Sequence, residues 1–537
     1  MRLGESRRTI TALLEDAAAR DAEATAVTII GGRSYTRGEL LDASLRIGGA
    51  MTSAGVQVGD RVVIILGNRI EFLTSWCGAV LRGALPVPLH TSFVEDILAN
   101  LLRSSAPRVI VAEREGVELI LPALDAAGFE GTLALVGEGS PIERTGVTIA
   151  DFSEWANHAQ LPEIFAASPA DPCTIFYSSG TTGPSKGAIW PHNAVYSLTE
   201  AFATLGEYGK GDVVHTATPL FHALALANGF LASLMSEGSC LLAPRFSLSR
   251  FWQQIVDFKA TKTMMLGEMV TLIIQQEPHD LERRHQITAA FVAPRPAESF
   301  SEFEDRFGLK IFGAFGNTDV GLPLWAPQDT QHSSAVGQAI DTWEVMLVDE
   351  FDEEVPDGQP GELVARPKVP FTGTMGYWGM PEASVELMRN CWYHTGDILR
   401  RGEDGWFYFV DRKKDSMRRG GENISSFEVE QVLLSHPSVL EVAVFAVPAE
   451  LAEDDVMACL VLRPGASLEE VGLHAEIRLP YFAVPRYYDV RASLPRTPTQ
   501  KIMKAALRRD GVTPTTWDRG RTRRTTTTSR PIHVSNG

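Results

Sequence analysis

Thr174 to His192, TIFYSSGTTGPSKGAIWPH, is the stretch from which the rest of this 537-residue chain is read. Thr174, Ile175, Phe176 and Tyr177 form a β-branched and aromatic run of strand type, which breaks into a Ser, Thr and Gly loop before an apolar segment resumes at Ala188. Such a loop can cradle phosphate. Gly180, Gly183 and Gly187 let the backbone come close to a polyanion, Ser178, Ser179, Thr181 and Thr182 offer hydroxyls, and Lys186 offers a point charge. The spacing is not that of a Walker A loop, because Gly183 precedes Pro184-Ser185-Lys186-Gly187. Ordinary surface turns use the same residue types, so composition alone leaves a cradle and a plain turn both open.

The full string SSGTTGPSKG resembles the phosphate-binding signature of the adenylate-forming superfamily, which holds acyl-CoA synthetases, nonribosomal adenylation domains and luciferases. The pattern is closest to acyl-CoA or carnitine-CoA-ligase-like synthetases. Further segments match in order. Pro219-Leu220-Phe221-His222 resembles the segment beside the acyl channel, and the resemblance implies that His222 orients or gates the substrate while Leu224 and Asn228 line its pocket. Ala289 to Ala297 stands where relatives carry a Gly-Gly-Ala-Pro-like stretch; here Phe291, Val292, Ala293 and Arg295 would line the pocket, making it smaller or more polar.

Phe315-Gly316-Asn317-Thr318-Asp319 stands for the family's Tyr-Gly-x-Thr-Glu. Phe315 keeps an aromatic face for adenine but loses the hydroxyl. Thr318 would donate to a phosphate oxygen, and Asp319 keeps a carboxylate for Mg2+ on a side chain one methylene shorter. Hard oxygen ligands suit that ion. Trp392-Tyr393-His394-Thr395-Gly396-Asp397 is close to Trp-x-x-Thr-Gly-Asp, which assigns the ribose hydroxyls to Asp397. Ala335 to Gln338 and Gly361-Glu362-Leu363 resemble two weaker segments, useful only for their order.

Asp411 to Asp415 resembles the hinge, with Arg412 toward the ribose and Lys414 at the pivot. The following loop, with Arg418, Arg419, Gly420, Gly421 and Glu422, is implied to serve thioester formation. Leu494 to Lys501 resembles the terminal Pro-Thr-x-Gly-Lys loop, with Gln500 where glycine is common, and makes Lys501 the implied catalytic lysine. By contrast, Glu453-Asp454-Asp455 reads as a solvent-facing acidic turn between two strands.

Length calls for more than one domain. The expected fold is α/β: a large amino-terminal domain (1–411) with mostly parallel sheets covered by helices, a small mobile α+β cap (412–510), and a disordered Arg- and Thr-rich tail (511–537). Strands alternating with helices before residue 170 fit the parallel sheet, and Thr36 with Glu39 reads as a capping box. A net charge of −18 argues against nucleic acid as a partner. Five widely spaced cysteines, without a Cys-x-x-Cys pair, fit a reduced compartment and small buried roles. The longest apolar stretch, Leu220 to Met235, is interrupted by His222 and Asn228 and is too short to span a bilayer, so no membrane insertion and a cytoplasmic location are expected.

The resemblance implies ATP-dependent activation of a small-molecule acid through an adenylate, with Mg2+ and coenzyme A, as in an acyl-CoA synthetase. Two alternatives remain at this point: a stand-alone adenylation enzyme loading a separate acyl carrier protein, and adenylation of a non-carboxylate acid such as nitrite, as in an ATP-dependent diazotase acting on an aryl amine. A homodimer is also left open.

Overall fold

The structure is a computed structural model, and it describes residues 7–178, 185–293, 300–328, 334–412, 417–419, 422–424, 426–449, 454–495, 502 and 504–520. The chain divides into two compact units. The larger comprises Met1–Thr91, Leu98–Ser178 and Lys186–Lys413, and the smaller comprises Ser92–Ile97, Ser179–Ser185 and Lys414–Gly537.

In the larger unit the helix Arg37–Ser53 begins with the expected capping box: Thr36 Oγ1 accepts from the Glu39 amide, and the Glu39 carboxylate accepts from the Thr36 amide. This helix meets the helix Ile70–Arg82 closely enough that a Cβ on Gly78 would lie 2.8 Å from the Ser44 carbonyl oxygen. Arg61–Ile65, Leu85–Pro88, Val109–Glu113, Gly131–Val136 and Val147–Asp151 form a five-stranded sheet in which every pairing is parallel. Its inner strands are nearly continuous apolar runs, as burial on both faces requires.

A second sheet has 13 strands, and its two halves differ. From Thr25–Ile29 through Ser239–Leu242, Val213–Thr216, Lys262–Leu266, Ala289–Ala293 and Lys310–Asn317 the pairings are parallel. Beyond Lys310–Asn317 they are antiparallel, through Gly321–Ala326, Ala335–Ala339, Phe407–Arg412, Tyr393–Arg401, Pro360–Pro367 and Trp343–Val348. Connection length accounts for part of the change. Helices such as Phe251–Asp257 and Gly267–Ile274 carry the parallel crossovers, whereas the turns at 318–320 and 402–406 are too short for anything but hairpins. The mostly parallel expectation therefore describes the five-stranded sheet and one half of the larger one.

The apolar stretch Leu220 to Met235 becomes helical from Ala223 and widens to a π-helical segment at Leu226–Leu231. Among the described residues no helix is long and apolar enough to cross a membrane. Cys77, Cys173, Cys240 and Cys459 are buried as expected, but Cys391 is exposed, in a left-handed turn after Asn390.

Two histidines are packed in this core as neutral rings. His192 Nδ1 accepts from the Ile10 amide, and His215 Nδ1 lies 3.0 Å from Thr263 Oγ1. Burial lowers each to about 4. The unfolded chain takes up these protons first as pH falls below about 6.5, so stability is lost from there down toward pH 4. At pH 5 each ring should have removed about 1 to 2 kcal/mol relative to pH 7. Thermal midpoints of the wild type and of His215→Gln at both pH values test this; an equal slope in the two proteins would refute the role of His215.

The smaller unit has a four-stranded sheet, in the order Val439–Pro448, Asp454–Leu462, Tyr487–Val490 and Trp517–Asp518. Ser426–Leu434, Leu468–Arg478 and Lys504–Asp510 are its helices, and Phe445, Met457, Cys459 and Leu507 its core. Two expectations fail here. Asp455 is not a solvent-facing turn residue: it is a buried strand residue, 2.7 Å from Arg486 and 3.4 Å from Arg419, because two guanidinium groups offset the cost of burying its charge. Nor does a disordered tail begin at residue 511. Trp517 packs on Tyr488, Asp518 pairs with Arg486, and Arg519 pairs with Glu476, so residues 511–520 complete the unit. Residues 521–537 lie outside the described residues.

Candidate active site

The opening stretch forms an antiparallel ribbon, Pro172–Ser178 with Lys186–Pro191, in which Ser178 and Lys186 stand opposite each other at the loop end. Thr174 anchors its buried end by donating to the Pro86 carbonyl at 2.8 Å. A second segment, residues 375–378, lies along the ribbon. The Met375 amide donates to the Ile189 carbonyl, the Ile189 amide to the Gly376 carbonyl, and the Trp378 amide to the Gly187 carbonyl. This bridge sets Tyr377 beside Ala188 and places its ring 4.8 Å from the Lys186 ammonium.

Asp319, in the turn after the Lys310–Asn317 strand, meets the same segment. Thr374 Oγ1 donates to the Asp319 carbonyl at 2.7 Å, and Trp190 Nε1 donates to the Thr318 carbonyl at 2.9 Å. Tyr377 is buried, and burial first, then the charge of the neighbouring Asp319, push its phenol well above its ordinary range. Tyr393 secures the segment from behind by donating to the Thr374 carbonyl.

Two residues before Asp319, the Asn317 side chain reaches a third group. Its Nδ2 donates to the Thr395 carbonyl at 3.0 Å and reaches Asp397 Oδ2 at 3.5 Å, while its Oδ1 accepts from the Val320 amide. Asp397 is buried, and its backbone stands opposite Arg412 in the ladder. Gly396, at φ +72°, has its amide held by the buried Glu362 carboxylate at 3.1 Å. Glu362 also lies 3.2 Å from His394, and Arg389 links His394 to Asp352, whose carboxyl it holds down at about 2. Lys186 with Tyr377, Asp319 with Thr374, and Asn317 with Asp397 are thus paired by contacts inside the larger unit.

The other expected residues fall in several places. Phe315 is half-buried, with its ring 6.3 Å from that of Phe409; Gly316 has no room for a side chain, since a Cβ would lie 2.0 Å from the Gly321 carbonyl oxygen. His222 precedes the short helix Ala223–Ala225 and packs on Phe221, which in turn meets His90. Leu224 is half-buried against the main core. Asn228 lies in the π-helical segment, accepts from the Tyr208 hydroxyl at 2.6 Å, and has no partner for Nδ2 among the described residues.

Phe291 and Val292 correct the idea of a shared pocket wall. Adjacent strand residues point to opposite faces. Phe291 is packed among Phe202, Phe312 and Trp325, and Val292 belongs to a separate buried cluster with Met265 and Ile311. Ala293 is half-buried beside the main core. In the smaller unit Arg419 is held by Asp455 and donates to the Val484 carbonyl, and Glu422 is buried opposite it in a two-stranded ladder. Ser179, Gly180, Thr181, Thr182, Gly183, Arg295, Lys414, Gly420, Gly421 and Lys501 lie outside the described residues, and of Ser178 and Arg412 only the backbone is described.

Sequence reading missed Tyr377 and Thr374. Gly376-Tyr377-Trp378-Gly379 carries no chemical pattern of its own, and an aromatic between glycines reads as a turn. Glu362 was noted only for its order.

Comparison with known proteins agrees with this geometry. Residues 14–378 match the family model of the AMP-binding enzyme, and residues 428–501 that of the AMP-binding enzyme C-terminal domain. The crotonobetaine/carnitine--CoA ligase of Citrobacter koseri is 28% identical over 492 residues, 89% of this chain and 93% of that protein. The corresponding ligase of Salmonella paratyphi A is 27% identical, over 89% and 93%. Among solved structures, a double mutant of o-succinylbenzoate CoA synthetase from Bacillus subtilis aligns with a TM-score of 0.81 at 23% identity, covering 93% of this chain and 98% of that one. The amide bond synthetase of Marinactinospora thermotolerans aligns at 0.78 and 22% identity, covering 93% and 99%. With its large sheet-rich unit and small carboxy-terminal unit, the chain belongs to the AMP-binding enzyme family and is an AMP-forming ligase of the adenylate-forming superfamily.

Proposed function

We propose that the chain converts a small carboxylic acid first to an acyl adenylate, with release of pyrophosphate, and then, by attack of the coenzyme A thiol with release of AMP, to an acyl-CoA thioester. The observation that carries this reading is the placement of Lys186 over Tyr377, of Asp319 on Thr374 beside it, and of Asn317 against Asp397, which puts a cation, a carboxylate and a second, buried carboxylate within one unit. ATP needs such a set: charge for its phosphates, and an acceptor for its ribose hydroxyls. Phe315 offers the aromatic face for adenine.

The carboxylate of the substrate attacks the α-phosphorus, and charge builds on the α-phosphate oxygens. Lys186, Thr318 and Lys501 would stabilise that charge by fixed electrostatics. Among the described residues no group of three or more His, Cys, Asp or Glu could hold a metal on its own. A single carboxylate at Asp319 suits Mg2+, which binds through one or two carboxylates plus substrate phosphates. When bound there, Mg2+ would supply charge neutralisation at the phosphates. The unpartnered Asn228 amide and His222 are the groups proposed to meet the acid. For the second step, Lys414 is proposed as the pivot, with Arg419, Gly420, Gly421 and Glu422 serving the thiol.

The test is a pyrophosphate-release screen over carboxylic acids, beginning with crotonobetaine, carnitine and aryl acids, with and without coenzyme A. Release that depends on one acid, with thioester formed only when coenzyme A is added, is the expected result. Release without a thioester would redirect the acceptor to a carrier protein or an amine, and release only with nitrite and an aryl amine would redirect the acid. No release with any of them would refute adenylation.

A further inference from the structure

We propose that Asp455 is a positioning residue for thioester formation, acting through the Arg419 guanidinium that it holds. The proposal rests on the reading above that Arg419 and the glycines after it serve the thiol, and it adds a residue that no motif assigned. Every contact involved lies within the smaller unit.

Arg419 ends the short strand Met417–Arg419, which pairs with Glu422–Ile424 and is rooted in the unit by the buried side chains of Met417 and Ile424. A free arginine on so short a ribbon would sample many rotamers, and two groups restrict this one. Asp455 Oδ1 lies 3.4 Å from Arg419 Nη2, and Arg419 Nη1 donates to the Val484 carbonyl at 3.1 Å. The Arg419 side chain is 29% exposed and that of Asp455 only 6%, so the cation reaches the surface from an anchor that salt scarcely screens. Asp455 is itself fixed. It lies on the strand Asp454–Leu462, opposite Val447, and its other oxygen, Oδ2, is 2.7 Å from Arg486 Nη1. Arg486 turns its remaining nitrogens to Asp518, with Nε 3.3 Å from Oδ1 and Nη2 3.4 Å from Oδ2. Asp518 belongs to the strand Trp517–Asp518, which pairs with Tyr487 and Tyr488. Each oxygen of Asp455 therefore serves a different guanidinium: Arg486 ties the carboxylate to the sheet, and the carboxylate ties Arg419 to both. A buried carboxylate shared in this way is costly unless both cations stay in place, which holds Arg419 in one direction.

Asp455→Asn removes the charge and keeps the size, while Arg486 retains Asp518 and Arg419 retains the Val484 carbonyl, so neither guanidinium loses every acceptor. In the full-length chain the two half-reactions are measured apart: single-turnover pyrophosphate release with the acid found active in the screen above, and thioester formation from the pre-made adenylate of that acid with coenzyme A. Asp455→Asn should keep pyrophosphate release within about twofold and slow thioester formation roughly tenfold, the ordinary effect of losing one contact to a charged group. Asp455→Glu, which restores the charge, should bring thioester formation back to within about threefold of wild type. Arg419→Ala and the double variant Arg419→Ala/Asp455→Asn should form thioester at the same rate, since Asp455 acts only through Arg419. Should Asp455→Asn fail to fold, Asp455→Asn/Arg486→Gln removes the inner pair together, leaves neither of its charges buried alone, and should show the same split between half-reactions. Thioester formation by the Asp455 variant at the wild-type rate, an equal loss in both half-reactions, or an Arg419→Ala/Asp455→Asn variant much slower than Arg419→Ala would overturn the proposal. A wild-type chain that makes the adenylate but no thioester would refute the functional reading of the second step itself, a result distinct from wild-type thioester formation that Asp455→Asn does not alter.

Discussion

Replacing Lys501 by alanine is expected to slow adenylate formation roughly a hundred- to thousandfold, equivalent to about 2.7 to 4 kcal/mol of transition-state stabilisation. The attacking carboxylate and the α-phosphate are both anions, so the barrier contains a large repulsive part that a fixed cation offsets only as the new bond forms. Such a group acts on kcat more than on ATP binding. Single-turnover release of pyrophosphate gives the first half-reaction. Thioester formation from a pre-made acyl adenylate and coenzyme A gives the second, which should proceed near the wild-type rate. Equal loss of both half-reactions would count against a lysine dedicated to the first. Lys501→Arg keeps the charge but not the compact head group, and should recover only part of the rate.

Asp397→Ala should act differently, on binding. Two ribose hydroxyls donating to one carboxylate are worth about 1.5 to 3 kcal/mol each, so their loss should raise the KM for ATP roughly a hundredfold or more. Asp397 is buried and reached by Asn317, and its turn is held by Glu362 through the Gly396 amide. A carboxylate already oriented in this way has little entropy left to lose on binding, which is why the loss should be large. Comparing ATP with 2′-deoxy-ATP separates this from a folding effect: the wild type should discriminate between them, and Asp397→Ala should not. Retained discrimination would place the ribose elsewhere.

The two substitutions bear on parts of the site that were legible to different degrees. The string around Lys186 and the Trp392 to Asp397 segment stood out because special backbone and charged side chains are packed into a few consecutive positions. Tyr377 did not, because its relevance depends on residues 375–378 bridging to a strand almost 190 positions earlier in the chain, a pairing no local pattern encodes. Asp455 misled for a related reason. Next to Asp454 it reads as a solvated acidic turn, and only Arg486 and Arg419, from other strands, make its burial tolerable. Phe291 and Val292, read together as a pocket wall, separate as soon as the strand alternates its faces. The antiparallel half of the large sheet became evident only from short connections and cross-strand register.

What the sequence by itself determined is the family, the succession of strands and helices in the parallel sheets, and the capping box at Thr36. All of these are written in contiguous segments, through periodicity, turn chemistry and motif spacing. The tertiary structure alone decided which residues face one another: Lys186 over Tyr377, Thr374 on the Asp319 carbonyl, Asn317 against Asp397, and Trp517 on Tyr488. The physical reason is range. Hydrogen bonds and ring contacts act over a few ångströms, so partners distant in the chain acquire meaning only when packing has brought them together.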